Sequence, residues 1–85
     1  MKIEKTIDRR RTTVRLIGRV RAEDLLEVAK QLEGSGPGAV LELDEVTLVD
    51  VDVVRFLNRC ETEGLRLVNC SPYIREWMSR EQKRT

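Results

Sequence analysis

A chain of 85 residues with no histidine and a formal net charge of +1 excludes much at the outset. Ser-His-Asp and Cys-His catalysis, a histidine-ligated metal and a histidine pH switch cannot be built from it, and 16 Lys and Arg against 15 Asp and Glu give no overall attraction to a polyanion. The length and the 40% hydrophobic fraction, with one Trp, one Tyr and one Phe, imply one small folded domain over residues 1–85 with an aliphatic core, burying only a little over ~60% of its unfolded surface.

The N-terminal MKIEKTIDRRR lacks the apolar stretch of an export signal, and no run of ~18 apolar residues occurs, so a cytoplasmic protein without a membrane partner is expected. KIEKTID alternates weakly at Ile3, Lys5 and Ile7, and TTVRLIGRV alternates more firmly at Val14 and Leu16; both read as strands. RRRT between them is a polar turn short enough for an antiparallel hairpin. From Ala22, AEDLLEVAKQLE places Leu25, Leu26, Ala29 and Leu32 on one helical face, with Glu23 and Asp24 in the first turn. GSGPG (Gly34 to Gly38) stops that helix.

AVLELDEVTLV begins as a buried strand over Ala39 to Leu43. Val53, Phe56, Leu57 and Cys60 then recur at helical spacing until Gly64, and LRLVNC (Leu65 to Cys70) is another short strand. In SPYIREWMSREQ, Ser71 is placed to cap a helix and Pro72 to open it, while Ile74, Trp77 and Met78 form its inner face; the tail REQKRT reads as frayed. The order is β-β-α-β-α-β-α. It predicts a four-stranded mixed sheet whose last three strands are parallel, joined by right-handed crossovers, with the helices mainly on one face.

Binding surfaces of parallel sheets form outside the carboxyl ends of the strands, and there the chain places Asp50-Val51-Asp52. Asp50 can cap the following helix, worth roughly 1 kcal/mol, and Asp52 in the first turn adds ~0.3–1 kcal/mol through the dipole. An Asp-x-Asp pair can also hold a divalent ion, but only Asp44 and Glu45 lie near in sequence and no glycine-rich phosphate cradle accompanies them. Paired carboxylates acting on a sugar would need a deeper cleft than so small a domain provides. No metal, cofactor or catalytic residue is therefore expected.

VRLIG leading into one helix, AVLELDEVTLVD into a second and LRLVNCSP into a third resemble a STAS domain over about Thr12 to Ser79. That is the fold of bacterial anti-anti-sigma factors (anti-sigma factor antagonists) and of sulfate-transporter tails. The family's signature at the second helix start is an aspartate, a phosphorylatable serine, a small residue and a glycine. Asp50 matches the aspartate; Val51 stands at the serine, Asp52 at the small residue and Val53 at the glycine. The resemblance implies a non-enzymatic protein-interaction module of bacterial signalling and regulation, its partner an anti-sigma factor of serine-kinase fold or another component of a signalling complex. Val51 has no hydroxyl, so no phosphorylation is expected. The family loop beside this helix start is often acidic or polar, whereas this chain has Arg19-Val20-Arg21, and an ion pair from Arg19 or Arg21 to Asp50 or Asp52 is expected. The family also commonly continues with a further strand and helix; a minimal domain, or an open edge that pairs with a partner or a second copy as a homodimer, is implied.

Other features have plainer readings. Arg9, Arg10 and Arg11 lack the interleaved aromatics of a nucleic-acid surface and read as a solvated turn, so no nucleic acid is expected. Tyr73 is expected at the margin of its helix with its hydroxyl in water. Cys60 reads as a small buried hydrophobe, while Cys70 lies near a helix N-terminus, which favours a thiolate. Without C-x-x-C spacing the two read as free thiols of a reducing compartment.

The expected partner-binding surface thus comprises Arg19, Arg21, Asp50, Val51, Asp52 and Arg55. The alternative from another class is a small-molecule or phosphorylated-metabolite binding domain, with a divalent ion at Asp50 and Asp52.

Overall fold

In the computed structural model, which describes residues 1–36 and 38–84, the first two strands form the predicted hairpin. β1 (Lys2–Asp8) and β2 (Arg11–Val20) pair antiparallel, from Lys2 opposite Ile17 to Asp8 opposite Arg11. A two-residue hairpin turn of this register favours φ > 0 at both central positions, and Arg9 (φ 48°) and Arg10 (φ 74°) adopt it. Neither is glycine or asparagine, so both carry the left-handed penalty of an L side chain. Pro37 and Thr85, within the expected GSGPG stop and the expected tail, lie outside the described residues.

The remaining elements are α1 (Leu25–Leu32, led by a 3-10 turn over Ala22–Asp24), β3 (Val40–Val49), α2 (Val51–Thr62), β4 (Arg66–Val68) and α3 (Pro72–Gln82). The sheet order is β1-β2-β3-β4, with β2, β3 and β4 mutually parallel. The order steps in one direction, so crossovers of one hand put α1 and α2 on the same face. This is the expected four-stranded mixed sheet, in a small α/β domain.

β2 shows which face that is. Thr12, Val14, Leu16 and Val20 are buried, whereas Thr13, Arg15, Ile17 and Arg19 between them are not. The buried set joins Leu41 and Leu43 of β3, Leu67 of β4, Val28 of α1, Val53, Val54 and Leu57 of α2, and Ile74 and Met78 of α3 in one core. Across the open face an ion pair joins Arg15 to Glu45, and Asn69 donates to Glu42 at 2.9 Å.

β3 is longer than the expected Ala39–Leu43. It continues because β2 accompanies it through two irregularities: Arg15 to Ile17 spans Glu42 to Glu45, and Gly18 to Arg19 spans Val46 to Leu48. An extra residue on β3 at each place breaks the alternation. Gly18 stands beside these shifts at φ 88°, a conformation glycine adopts without steric cost. β4 pairs only with Val40 to Glu42, so the second half of β3 lies beyond its reach.

The phase of α1 also differs from expectation. Ala22–Asp24 form a 3-10 turn, the α-helix begins at Leu25, and its inner stripe is centred on Val28, which the expected face left out. Val28 is buried, with Leu25 and Leu32 partly buried beside it; Ala29 is exposed and Leu26 is 68% exposed.

The other helix ends follow their sequence signals. Gly64, at φ 97°, closes α2: the Gly64 N–H donates to Glu61 O at 3.0 Å and the Leu65 N–H to Cys60 O at 2.9 Å, the paired bonds of a Schellman motif. Ser71 caps α3 through its hydroxyl, which accepts from the Ile74 N–H at 3.3 Å, and Pro72 follows it. The expected frayed tail is instead helical through Gln82. Glu81 is held there, only 8% exposed, between Arg55 and Arg84.

Candidate functional site

The carboxyl ends of β2 and β3 lie side by side, with Val20 opposite Val49, so the segments that leave them meet. Asp50 occupies the junction. Its backbone is extended (φ −107°, ψ 178°), the conformation of a residue preceding a helix. One carboxylate oxygen accepts from the Val53 N–H at 3.0 Å and caps α2. The other accepts from the Ala22 N–H at 2.9 Å, on the segment that leaves β2. One side chain thereby fixes both the start of α2 and the position of the neighbouring turn.

The capped turn determines what faces outward. Val53 and Val54 enter the core, Val51 is half-buried and Asp52 is exposed. On the open face Leu48 lies opposite Arg19 and is 47% exposed. The surface therefore pairs a small apolar area, Leu48 and Val51, with the charges of Arg19, Arg21 and Asp52. Sequence reading missed Leu48 because it carried the strand only to Leu43; alternation continued from Leu41 and Leu43 places Leu48 on the outer side, where it lies. The register shifts are signalled only by the charged Asp44-Glu45 inside the strand.

The expected ion pair between the two loops is corrected by the geometry. The Arg21 guanidinium pairs with Glu23 at 3.6 Å, while its backbone N–H donates to Asp24 at 2.9 Å. Among the described residues Arg19 forms no ion pair, and Asp50 is engaged by backbone N–H groups. The loops are joined through a main-chain donor, whose position is fixed by the fold, instead of through a long flexible cation. A metal at Asp50 would have to compete with both of these N–H groups. Among the described residues no three His, Cys, Asp or Glu side chains converge to hold an ion.

Arg55 belongs elsewhere. It lies on α2, but its Nε donates to Glu81 of α3 at 3.0 Å, so its head is drawn to the groove between the two helices. A second contact between these helices is the two-pronged pair of Arg75 with Glu61, at 2.8 and 2.7 Å. The hydrogen bond from Arg75 holds the Glu61 carboxyl below its ordinary range and raises Arg75 in turn.

Both thiols are free and partly buried, and neither is favoured as a thiolate. Burial, helped by Glu63 and opposed by Arg59, pushes Cys60 up to about 11. Burial raises Cys70 as well, outweighing the lowering by Arg75, so the thiolate expected at that helix start is not favoured. Tyr73 is 48% exposed at the margin of α3, its ring centroid 6.1 Å from that of Trp77. No helix among the described residues is long and apolar enough to cross a membrane.

No family model matches this chain, and the curated proteins searched contain no match to it.

Proposed function

We propose that this chain is a non-enzymatic protein-interaction module of STAS type, acting in bacterial signalling through the surface at the carboxyl ends of β2 and β3. The supporting observation is the double role of Asp50, which joins the Ala22 turn to the start of α2 and so presents Val51 and Asp52 in one fixed arrangement. An exposed apolar residue beside charges, here Leu48 next to Arg19, is the composition of a small recognition surface. The partner that this reading implies is an anti-sigma factor of serine-kinase fold or a comparable component of a signalling complex. Valine at position 51 gives a kinase nothing to phosphorylate, so binding at this loop is constitutive.

The test is affinity capture from an extract of the source cells, comparing wild type with Asp52→Arg at the same salt concentration. Asp52 is exposed and accepts no hydrogen bond among the described residues, so the substitution leaves the fold intact. A stoichiometric partner held by wild type and lost by the variant supports the proposal. A partner held equally by both removes this surface from it, and phosphate-dependent release traced to this loop contradicts constitutive binding.

A further inference from the structure

The groove between α2 and α3 carries chemistry that the proposed surface does not use. A cavity of about 430 Å³ is lined there by Arg55, Arg59, Thr62, Glu63, Glu81 and Arg84, among others. We propose that this groove is a second recognition site, and that it binds an acidic peptide segment of a partner protein.

The argument begins with Glu81. Its carboxylate is nearly buried and meets Arg55 Nε at 3.0 Å and Arg84 Nη1 at 3.5 Å. Only the carboxylate of these pairs is buried, the two arginines being more than half exposed, so the pairs contribute little to stability, but the carboxylate does orient the guanidiniums it touches. Each guanidinium has five N–H donors in a planar fork, and Glu81 accepts one from Arg55, leaving donors on both arginines for a carboxylate in the groove. Arg59 adds a third guanidinium. It lies 6.0 Å from the Phe56 ring centroid and forms no ion pair among the described residues. The helix surface beneath is also ordered by polar contacts, since Asn58 donates to Met78 O at 3.0 Å and accepts from Gln82 at 3.0 Å.

Three guanidiniums face two carboxylates in this lining, and one of those carboxylates is already neutralised by two arginines. Planar forks of this kind suit carboxylate oxygens, and the aliphatic stems of the arginines give apolar side chains of a peptide something to lie against. A nucleic acid suits the groove less well. Phe56 is engaged by Arg59, so no free ring is offered to a base.

Trp77 borders an adjoining depression with Arg80, Glu81 and Arg84, and it is the sole tryptophan of the chain, so its fluorescence reports on the groove. The experiment titrates the full chain at low salt with an acetylated, amidated peptide alternating Glu pairs with Leu. The same peptide with Gln for Glu and a short oligothymidylate serve as controls. The expected result is a saturable fluorescence change with the acidic peptide only. Arg59→Glu, at an exposed position away from the core, should weaken binding about tenfold, the effect of reversing one charge in a charge-assisted contact. Arg9→Glu, on the distant hairpin turn, should not weaken it. Asp52→Arg should bind the peptide like wild type, so failure of this site and failure of the proposed β2–β3 surface are read separately. Absence of saturable binding by both fluorescence and titration calorimetry would overturn the proposal. So would an unchanged affinity in Arg59→Glu, or tighter binding of the oligothymidylate.

Discussion

Replacing Asp50 by alanine removes two hydrogen bonds with different functions, and the two can be separated. The cap on the Val53 N–H is worth about 1 kcal/mol by the usual scale for such residues. The bond from the Ala22 N–H spans 28 residues of sequence and, lying at an exposed position, contributes about 1 kcal/mol. Asp50→Ala should therefore cost about 2 kcal/mol, lowering Tm by roughly 8–16 °C in a domain of this size. Asp50→Asn keeps one acceptor oxygen for the cap and loses the other, so about half the cost should remain. The partner in the second bond is a backbone group, and proline can remove it. Ala22 is the first residue of the 3-10 turn, and Arg21 before it is extended at φ −120°, ψ 169°, which a following proline accepts. Ala22→Pro thus deletes the N–H without disturbing the turn. Urea unfolding of wild type, Asp50→Asn, Ala22→Pro and the double variant forms a cycle whose coupling should be about 1 kcal/mol, because Asp50→Asn has no bond left to break once proline is present. Coupling below ~0.3 kcal/mol, within the scatter of independent sites, would mean that Asp50 acts as a helix cap alone. The account of a joined two-loop surface would then fail.

The hairpin turn offers a gain. Replacing Arg9-Arg10 by Asn-Gly relieves two left-handed arginines and should stabilise the domain by about 1 kcal/mol, raising Tm by roughly 4–8 °C in a thermal melt; an unchanged or lower Tm would contradict the strained turn. Glu61 is held low by the Arg75 hydrogen bond, so its stabilising contribution is present above the unfolded value of 4.5 and is lost as pH falls through the lower folded value. The pair is part-exposed, so Glu61→Gln should cost under about 1 kcal/mol at pH 7 and nothing at pH values below both limits, as urea midpoints across pH would show. Burial raises both Cys60 and Cys70, so a disulfide exchange reagent at pH 8 should label the folded chain far more slowly than the urea-unfolded chain. Equal rates would refute the burial of the thiols.

The parts of the fold that follow from local chemistry could be read in the sequence. Ser71-Pro72 starts a helix, Gly64 ends one, and alternating Val14 and Leu16 form the inner side of a strand wherever they are placed. What the sequence hid depends on partners far along the chain or on changes of phase. Glu81 looks like a solvated tail residue until Arg55, 26 positions earlier, is seen beside it. Leu26 looks inward-facing beside Leu25 and Ala29, but the buried stripe of this helix is centred on Val28 with Leu25 and Leu32 beside it, which turns Leu26 outward. Leu48 was hidden because the charged Asp44-Glu45 reads as the end of the strand, which in fact runs on to Val49. At the candidate site, the position of Asp50 was legible as a cap, and its second partner was not. A backbone N–H carries no signature in the sequence, so the arginines near Ala22 drew the expectation of an ion pair toward themselves.

That substitution of a backbone donor for an arginine has a consequence for recognition. Had Arg21 held Asp50, the surface would depend on a long side chain whose ordering costs entropy and whose attraction is screened by salt. With Ala22 as donor, the tie involves one short side chain and a main-chain group that the end of β2 already fixes. Arg19 is left free of ion pairs among the described residues, and Asp52 is exposed at the start of α2, so opposite charges remain available to a partner. The arrangement separates what holds the surface from what it offers. Salt should accordingly weaken partner binding through Arg19 and Asp52 while leaving the Asp50–Ala22 coupling almost unchanged. Repeating the double-variant cycle at 0.1 M and about 1 M salt, where the Debye length shrinks from ~10 to ~3 Å, tests that separation. A coupling that collapsed with salt would show that the join is held by screened surface charge, and the fixed surface would have to be abandoned.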